Sequence, residues 1–286
     1  MNQAKELRLA NTNAPSSTTS ASLQFIGNAT VLFQFAGFTL LTDPNFLHKG
    51  DLIHIGYGLH TRRLIDPAIN IEELPPLDLV VLSHTHEDHF DRLAARLLDK
   101  NLPIITTRQA ASILQLIGFK ATYGLNTWES MTVYKGENAL RITAMPAKHG
   151  PGFLPALLPH VMGSMLEFLS PTGETRLRLY ITGDTILHEH LKEIPQRYPN
   201  IDLALVHLGG TRVMGILLTM DAKQGVEALK IIAPRKAIPI HYNDYSAFKS
   251  PLADFVKEVE ASGLADHMIY LTHGETYTLL VPAEVS

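Results

Sequence analysis

Hydrophobic and polar positions change period several times along the chain, and each change marks a predicted element. Residues 23–26, 30–35 and 38–41 are short strand-like runs separated by Gly27-Asn28 and Ala36-Gly37, so the spacing predicts an antiparallel meander. Residues 77–82 form a short, mostly apolar run that predicts a strand. Residues 91–98 follow with apolar positions at helical spacing and Asp91 near the start. Beyond them the pattern predicts a strand at 104–105, a helix over 109–117 ended by Gly118, and strands over 140–145, 164–169, 177–181 and 203–206. A helix over 222–232 begins after Asp221, which suits an N-cap, and stops at Pro234. A strand over 237–240, a helix over 252–260 and strands over 269–271 and 277–280 complete the prediction. Strands outnumber helices, and buried apolar strands imply sheets covered by helices, an α/β architecture.

Composition narrows this picture. A chain of 286 residues with 45% hydrophobic content suits one large α/β domain, expected over residues 22–286. Residues 1–21 are polar, rich in Ser, Thr and Asn, and are expected to be a disordered or loosely attached leader. They contain no apolar run of the length a secretory signal needs, and residues 152–163 are interrupted by Pro155 and Pro159, so no membrane span is expected. The net charge of −4 and the lack of a dense Lys/Arg run argue against a nucleic-acid partner. With no cysteine, any metal must be held by His, Asp, Glu or backbone oxygen. The expectation is a cytoplasmic protein acting on a small molecule; the sequence sets no oligomeric state.

The candidate chemistry is concentrated in His84-Thr85-His86-Glu87-Asp88-His89, directly after the apolar run. Imidazole nitrogen and carboxylate oxygen are ligands that zinc, manganese and iron accept. The spacing lets His84 and His86 reach one ion while Asp88 and His89 face a second. Other strands run toward further ligand types: 140–145 toward His149, 177–181 toward Asp184, and 237–240 into His241. Strand ends crowd together at one edge of a sheet, so these residues can converge to complete a two-metal site.

With those residues in order, the chain resembles the metallo-β-lactamase-fold hydrolases. Thr42-Asp43-Pro44 looks like their first motif, His84 to His89 the second, His149 the third, Asp184 the fourth and His241 the fifth. Gly27-Asn28-Ala29-Thr30, Leu41-Thr42-Asp43-Pro44 and Pro239-Ile240-His241-Tyr242 look most like the branch holding ascorbate-6-phosphate lactonase and N-acylphosphatidylethanolamine phospholipase D. The resemblance implies an αββα sandwich, two mixed sheets face to face with helices on both outer faces and the metals along one edge. It further implies that His84, His86 and His149 hold the first ion, that Asp88, His89 and His241 hold the second, and that Asp184 bridges them. Zinc suits an all-N/O ligand set best, with Mn2+ or Fe2+ as the alternatives.

Two ions roughly 3.5–4 Å apart can lower the pKa of a shared water from about 15.7 toward about 7, making hydroxide the expected nucleophile. Asp88 can bind metal and accept a hydrogen bond from that nucleophile. Asp43 is either a residue that orients a ligating imidazole from behind or a turn aspartate before Pro44. Three stretches are candidate pocket walls. The first, residues 45–76, contains His48, His54, Tyr57 and His60 together with Arg62 and Arg63, which either receive a substrate anion or belong to a solvated loop. The second, residues 150–163, either lines an apolar pocket or packs on the core. The third, residues 207–215, could lie over the metals, with His207 as an extra catalytic polar group and Arg212 as a substrate candidate. His188, His190, His267 and His273 match none of the motifs and read as structural or surface residues. The leading expectation is a metal-dependent hydrolase of an ester, lactone or phosphodiester. A di-iron oxidoreductase on the same scaffold and a non-catalytic metal-binding protein are the alternatives.

Overall fold

The computed structural model describes residues 5–10, 19–55, 60–152 and 154–281. The chain enters through β1 (Lys5–Leu9) and runs as a meander of β2 (Ser20–Gly27), β3 (Thr30–Phe35) and β4 (Phe38–Thr42). A ribbon of β5 (Leu52–His54) and β6 (His60–Arg62) interrupts the path to β7 (Leu79–Val81), which lies parallel to β4. Next come α1 (Arg92–Leu97), β8 (Ile104–Thr107), α2 (Arg108–Leu116) and β9 (Thr122–Leu125). Each helix starts where a side chain accepts a free backbone N–H: Asp91 caps α1 at Ala94, and Thr107 caps α2 at Ala110.

The second half opens with the antiparallel strands β10 (Ser130–Lys135), β11 (Asn138–Met145), β12 (Gly163–Leu169) and β13 (Thr175–Ile181). After α3 (Glu193–Arg197) the chain forms β14 (Leu203–His207) and a small ribbon of β15 (Arg212–Val213) and β16 (Ile216–Leu217). It ends with α4 (Ala222–Ile232), β17 (Lys236–Ile240), α5 (Leu252–Ser262) and β18 (Thr276–Leu280).

Two mixed seven-stranded sheets result, in the orders β18-β2-β3-β4-β7-β8-β9 and β1-β10-β11-β12-β13-β14-β17. Their inner faces share one apolar core, in which the Phe168 ring meets Phe33, Phe35 and Phe38 from the opposite sheet. On one outer face Val226 and Leu229 of α4 and Phe255 of α5 pack on Tyr180, Ala204 and Val206. On the other, Ala94 of α1 and Leu114 of α2 pack on Val80, Leu82 and Ile104. The αββα sandwich is therefore the observed fold. Burial follows the layers: β14, covered on both faces, is buried throughout, whereas β10 alternates, with no helix over its outer face among the described residues.

Two expectations need correction. The leader contains an ordered strand, since β1 pairs in parallel with β10; residues 1–4 and 11–18 lie outside the described residues. Alternating polar side chains do not prevent edge pairing, because the ladder uses backbone groups. The strand expected over 269–271 is absent: Met268 makes a single bridge to Ala237, and the chain leaves the sheet.

Strand direction positions the site. β4 and β7 are parallel, β13, β14 and β17 are parallel to one another, and β11 runs with β13 because both are antiparallel to β12. Their C-terminal ends deliver Asp43, His84, His149, Asp184, His207 and His241 to one edge of the sandwich.

Candidate metal centre

At that edge the ligand candidates collect into two groups. His84, His86 and His149 offer three nitrogens within 4.8 Å of one another. Asp88, His89, Asp184 and His241 offer four atoms within the same limit. In the first group His86 Nδ1 lies 2.9 Å from His84 Nε2 and 3.3 Å from His149 Nε2. In the second, His89 Nε2 lies 3.1 Å from His241 Nε2 and 3.4 Å from Asp184 Oδ1, while Asp88 Oδ2 is 3.4 Å from His241 Nε2.

The far side of each imidazole determines what its near side can be. His149 Nδ1 faces the Leu218 carbonyl at 3.1 Å and His241 Nδ1 faces the Leu208 carbonyl at 3.1 Å. A carbonyl only accepts, so both Nδ1 atoms carry the proton and each neutral ring turns a bare Nε2 lone pair inward. His89 Nδ1 faces the Asp43 carboxylate at 3.0 Å, with the same result. Ser83 Oγ donates to Asp43 Oδ2 and lies 3.0 Å from His84 Nδ1, extending the support to the first group. In the first group the inner nitrogens of His84 and His149 thus turn lone pairs toward His86, and in the second the buried Asp184 Oδ1 has His89 Nε2 at 3.4 Å as its nearest imidazole nitrogen. Such a donor set fits divalent cations, which supply the positive charge these atoms lack.

Electrostatics separate the two groups. Burial pushes His84 well below its ordinary pKa and His86 down to about 4; burial also lowers His149. All three are neutral at pH 7, as candidate ligands must be. Burial alone would lower His89 and His241, but facing carboxylates, Asp184 foremost, outweigh it and raise both. Burial opposes ionisation of Asp88 and Asp184, yet the surrounding imidazoles hold Asp88 at about 2 and Asp184 well below the carboxylate range. The second group thus gathers negative charge that favours bound cations.

Backbone turns aim these side chains. Asp43 and His241 adopt left-handed φ values of 34° and 61°. Gly183, beside Asp184, has φ 62°, and a Cβ there would lie 2.5 Å from the Met162 carbonyl oxygen, so only glycine fits. The Gly27-Asn28 turn does more than reverse the chain. Asn28 Nδ2 donates to the Asp88 carbonyl at 2.6 Å, and its own carbonyl accepts from His241 N at 2.7 Å. Asn28, Ser83 and Thr219, whose hydroxyl reaches Asp184 Oδ2 at 3.2 Å, are supporting residues that the sequence reading missed. Their signal was nearness to a ligand in sequence only for Ser83.

The other candidates lie elsewhere. His207, expected in a loop over the metals, is the fully buried last residue of β14, paired there with Ile240. It stands behind the ligands, 3.4 Å from Asp43 Oδ2 and stacked on His89. Arg63 is fully buried rather than facing substrate. Its guanidinium donates to the Ile65 and Asn45 carbonyls and the Asn45 side chain and lies 3.7 Å from Asp244. Arg62 donates to the Gly50 carbonyl, and Arg212 pairs with Asp221 at 3.2 Å. Of the remaining histidines, His190 pairs with Glu193, His267 faces the Arg235 carbonyl, His273 pairs with Asp244 and His188 is half-buried. Tyr57 lies outside the described residues. Part of 150–163 does line an open cavity of about 380 Å³, which has His149 in its wall together with Pro155, Pro159, His160 and Met162.

Residues 39–242 match a family described as the beta-lactamase superfamily domain. The chain is similar to a UPF0173 metal-dependent hydrolase of Anaeromyxobacter dehalogenans strain 2CP-C, with 30% identity over 204 residues, 69% of this chain and 70% of the relative. A second UPF0173 metal-dependent hydrolase, from Exiguobacterium, is 28% identical over 85% of this chain and 95% of its own length. Among solved structures, the isothiocyanate hydrolase from Delia radicum gut bacteria superposes with a TM-score of 0.76 at 22% identity, covering 91% of this chain and all of that one.

Proposed function

This chain belongs to the β-lactamase superfamily, and from that premise we propose that it is a two-metal hydrolase that cleaves an ester, lactone or phosphodiester bond of a small molecule. The observation that carries the reading is the inward convergence of imidazole nitrogens and carboxylates from four separate chain segments into two adjoining groups. His84, His86 and His149 would hold one cation, and Asp88, His89 and His241 the other, with Asp184 available to both. Two divalent ions, zinc foremost for this N/O set, supply Lewis acidity that activates water and polarises the oxygen under attack.

The chain's own groups do the rest. Asp88 is an anion at neutral pH and accepts a hydrogen bond from the attacking water, aligning its lone pair. Asp43 would hold His89 in the tautomer that ligates, and His207, stacked on His89, approaches the same Asp43 Oδ2 at 3.4 Å. Thr219 orients Asp184. No serine or cysteine nucleophile is required.

Elemental analysis of untreated protein, followed by a screen of lactone, thioester and phosphodiester substrates with chelated protein as control, tests the reading. Two equivalents of metal and metal-dependent hydrolysis are expected. Hydrolysis that survives chelation, or iron accompanied by oxygen consumption, would overturn it.

A further inference from the structure

The arginines that the sequence offered for substrate binding are engaged elsewhere, but the structure presents another. The cavity bounded by His149 is also lined by Arg108, the first residue of α2. Its backbone is fixed on two sides. Thr107 Oγ1 caps the helix at Ala110 N, and Gly124 of β9 lies so close that a Cβ there would come within 2.6 Å of Arg108 Cα. An exposed arginine on a rigid base thus lines a cavity whose wall includes His149 of the first group. Its acidic neighbour Glu129 is 3.7 Å away and is itself bound to Lys5 at 2.8 Å, so Arg108 keeps donors for a ligand. Around it Asn126, Thr127 and His160 add polar groups, while Pro159, Val161 and Met162 give an apolar wall. A volume of this size suits a small molecule rather than a polymer.

Building on the hydrolase reading, we infer that this cavity is the substrate's recognition subsite. It takes a small amphiphilic ester whose non-reacting end bears a carboxylate, bound by Arg108, with its apolar body against Pro159, Val161 and Met162. The pairing follows from guanidinium geometry, whose paired N–H groups match the two oxygens of a carboxylate.

The test uses the full-length, metal-loaded protein and two probes of one shape, 4-phenylbutyrate and 4-phenylbutanamide, with binding measured by calorimetry. The acid should bind more tightly than the amide. Arg108→Met should weaken the acid about tenfold, the loss of one charge-assisted contact, without affecting the amide, and Arg108→Lys should recover part of the difference. Arg108 is solvent-exposed, so both variants are expected to fold. Equal binding of the acid by wild type and Arg108→Met, as direct capture by the cations would give, overturns the inference, as does failure of wild type to bind it. A kinetic arm compares 4-nitrophenyl butyrate with mono-4-nitrophenyl glutarate. In Arg108→Met the KM of the glutarate ester should rise about tenfold with kcat unchanged, and the butyrate ester should be unaffected. Acid binding through Arg108 with neither ester hydrolysed would count against the hydrolase reading and leave the subsite standing. Hydrolysis of both esters, alike in wild type and variant, would remove the subsite alone.

Discussion

Asp43→Asn isolates the support behind the metal ligands. The carboxylate is buried and accepts Ser83 N at 2.7 Å, Ser83 Oγ at 2.9 Å and His89 Nδ1 at 3.0 Å. Burial opposes its ionisation, but His89 and His207 bring its pKa down to about 2, so it is an anion wherever the protein is used. Asparagine preserves the volume, tolerates the left-handed backbone at φ 34° and still accepts from Ser83, so the fold should survive. What it loses is the charge that holds the His89 Nδ1 proton. A hydrogen bond to a charged group contributes about 1.5–3 kcal/mol and a neutral one about 0.5–1.5 kcal/mol. Because the asparagine oxygen that keeps Ser83 N leaves an amide NH2 against the His89 Nδ1 proton, the whole charged bond of roughly 1.5–3 kcal/mol is lost, about a 10–100-fold loss of affinity in the second group. The first group should suffer less, because His149 is anchored independently on the Leu218 carbonyl and His84 is reached only through Ser83. Titration of chelated protein with Zn2+ against a competing chromophoric chelator resolves the two affinities. If Asp43→Asn retains both at wild-type values while urea denaturation shows it folded, the positioning role is wrong.

His84→Ala and Asp184→Ala should each lose bound metal and hydrolytic activity together, as read by elemental analysis and the substrate screen; retained hydrolysis in metal-free variants would refute the mechanism. Metal-free protein should be most stable near pH 6.5. Histidines lowered by burial (His84, His86, His149) make stability rise with pH up to their unfolded value, while His89 and His241, raised by carboxylates, make it fall above that value. Melting midpoints of chelated protein between pH 4 and 9 check this, and a midpoint that keeps climbing to pH 9 would contradict it. Arg63→Met removes one of the two basic partners of buried Asp244 and the hydrogen bonds to the Asn45 and Ile65 carbonyls; with His273 still 3.3 Å away it should cost about 2–4 kcal/mol in urea unfolding, part of it recovered by adding Asp244→Asn. An effect below about 1 kcal/mol would show that the pair is not a structural clamp.

Much of the framework was legible because it depends on local pattern. Asp91 and Asp221 begin helices in the structure, and the apolar runs before His84, His149, Asp184 and His241 are strands whose shared direction delivers those residues to one edge. What local pattern does not contain is the partner across the fold. Arg62 and Arg63 stand in a polar stretch that resembles a solvated loop. Arg63 is buried because Asn45 and Asp244 surround it, the latter 181 positions away. His207 precedes a Gly-Gly pair that reads as a loop, yet register with Ile240 keeps it in β14. The short ribbons β5-β6 and β15-β16 have too few residues for a period to emerge. Arg108 begins an ordinary amphipathic helix, and only the cavity beside His149 distinguishes it from any exposed arginine.

The same geometry explains why the centre departs from ordinary core design. A buried interior usually pairs every donor with an acceptor, whereas here inner nitrogens as close as 2.9 and 3.1 Å face one another and the left-handed turns at Asp43 and His241 add backbone strain. The Asp43, Leu208 and Leu218 contacts prevent His89, His241 and His149 from rotating into a relaxed arrangement, since each ring is held by its outer nitrogen. The two-sheet core, stabilised by contacts such as Phe168 against Phe33 and Phe35, tolerates this local conflict. On the two-metal reading, rings already fixed by their outer nitrogens would need little rearrangement to bind a cation, so the binding energy would not be spent on ordering the site.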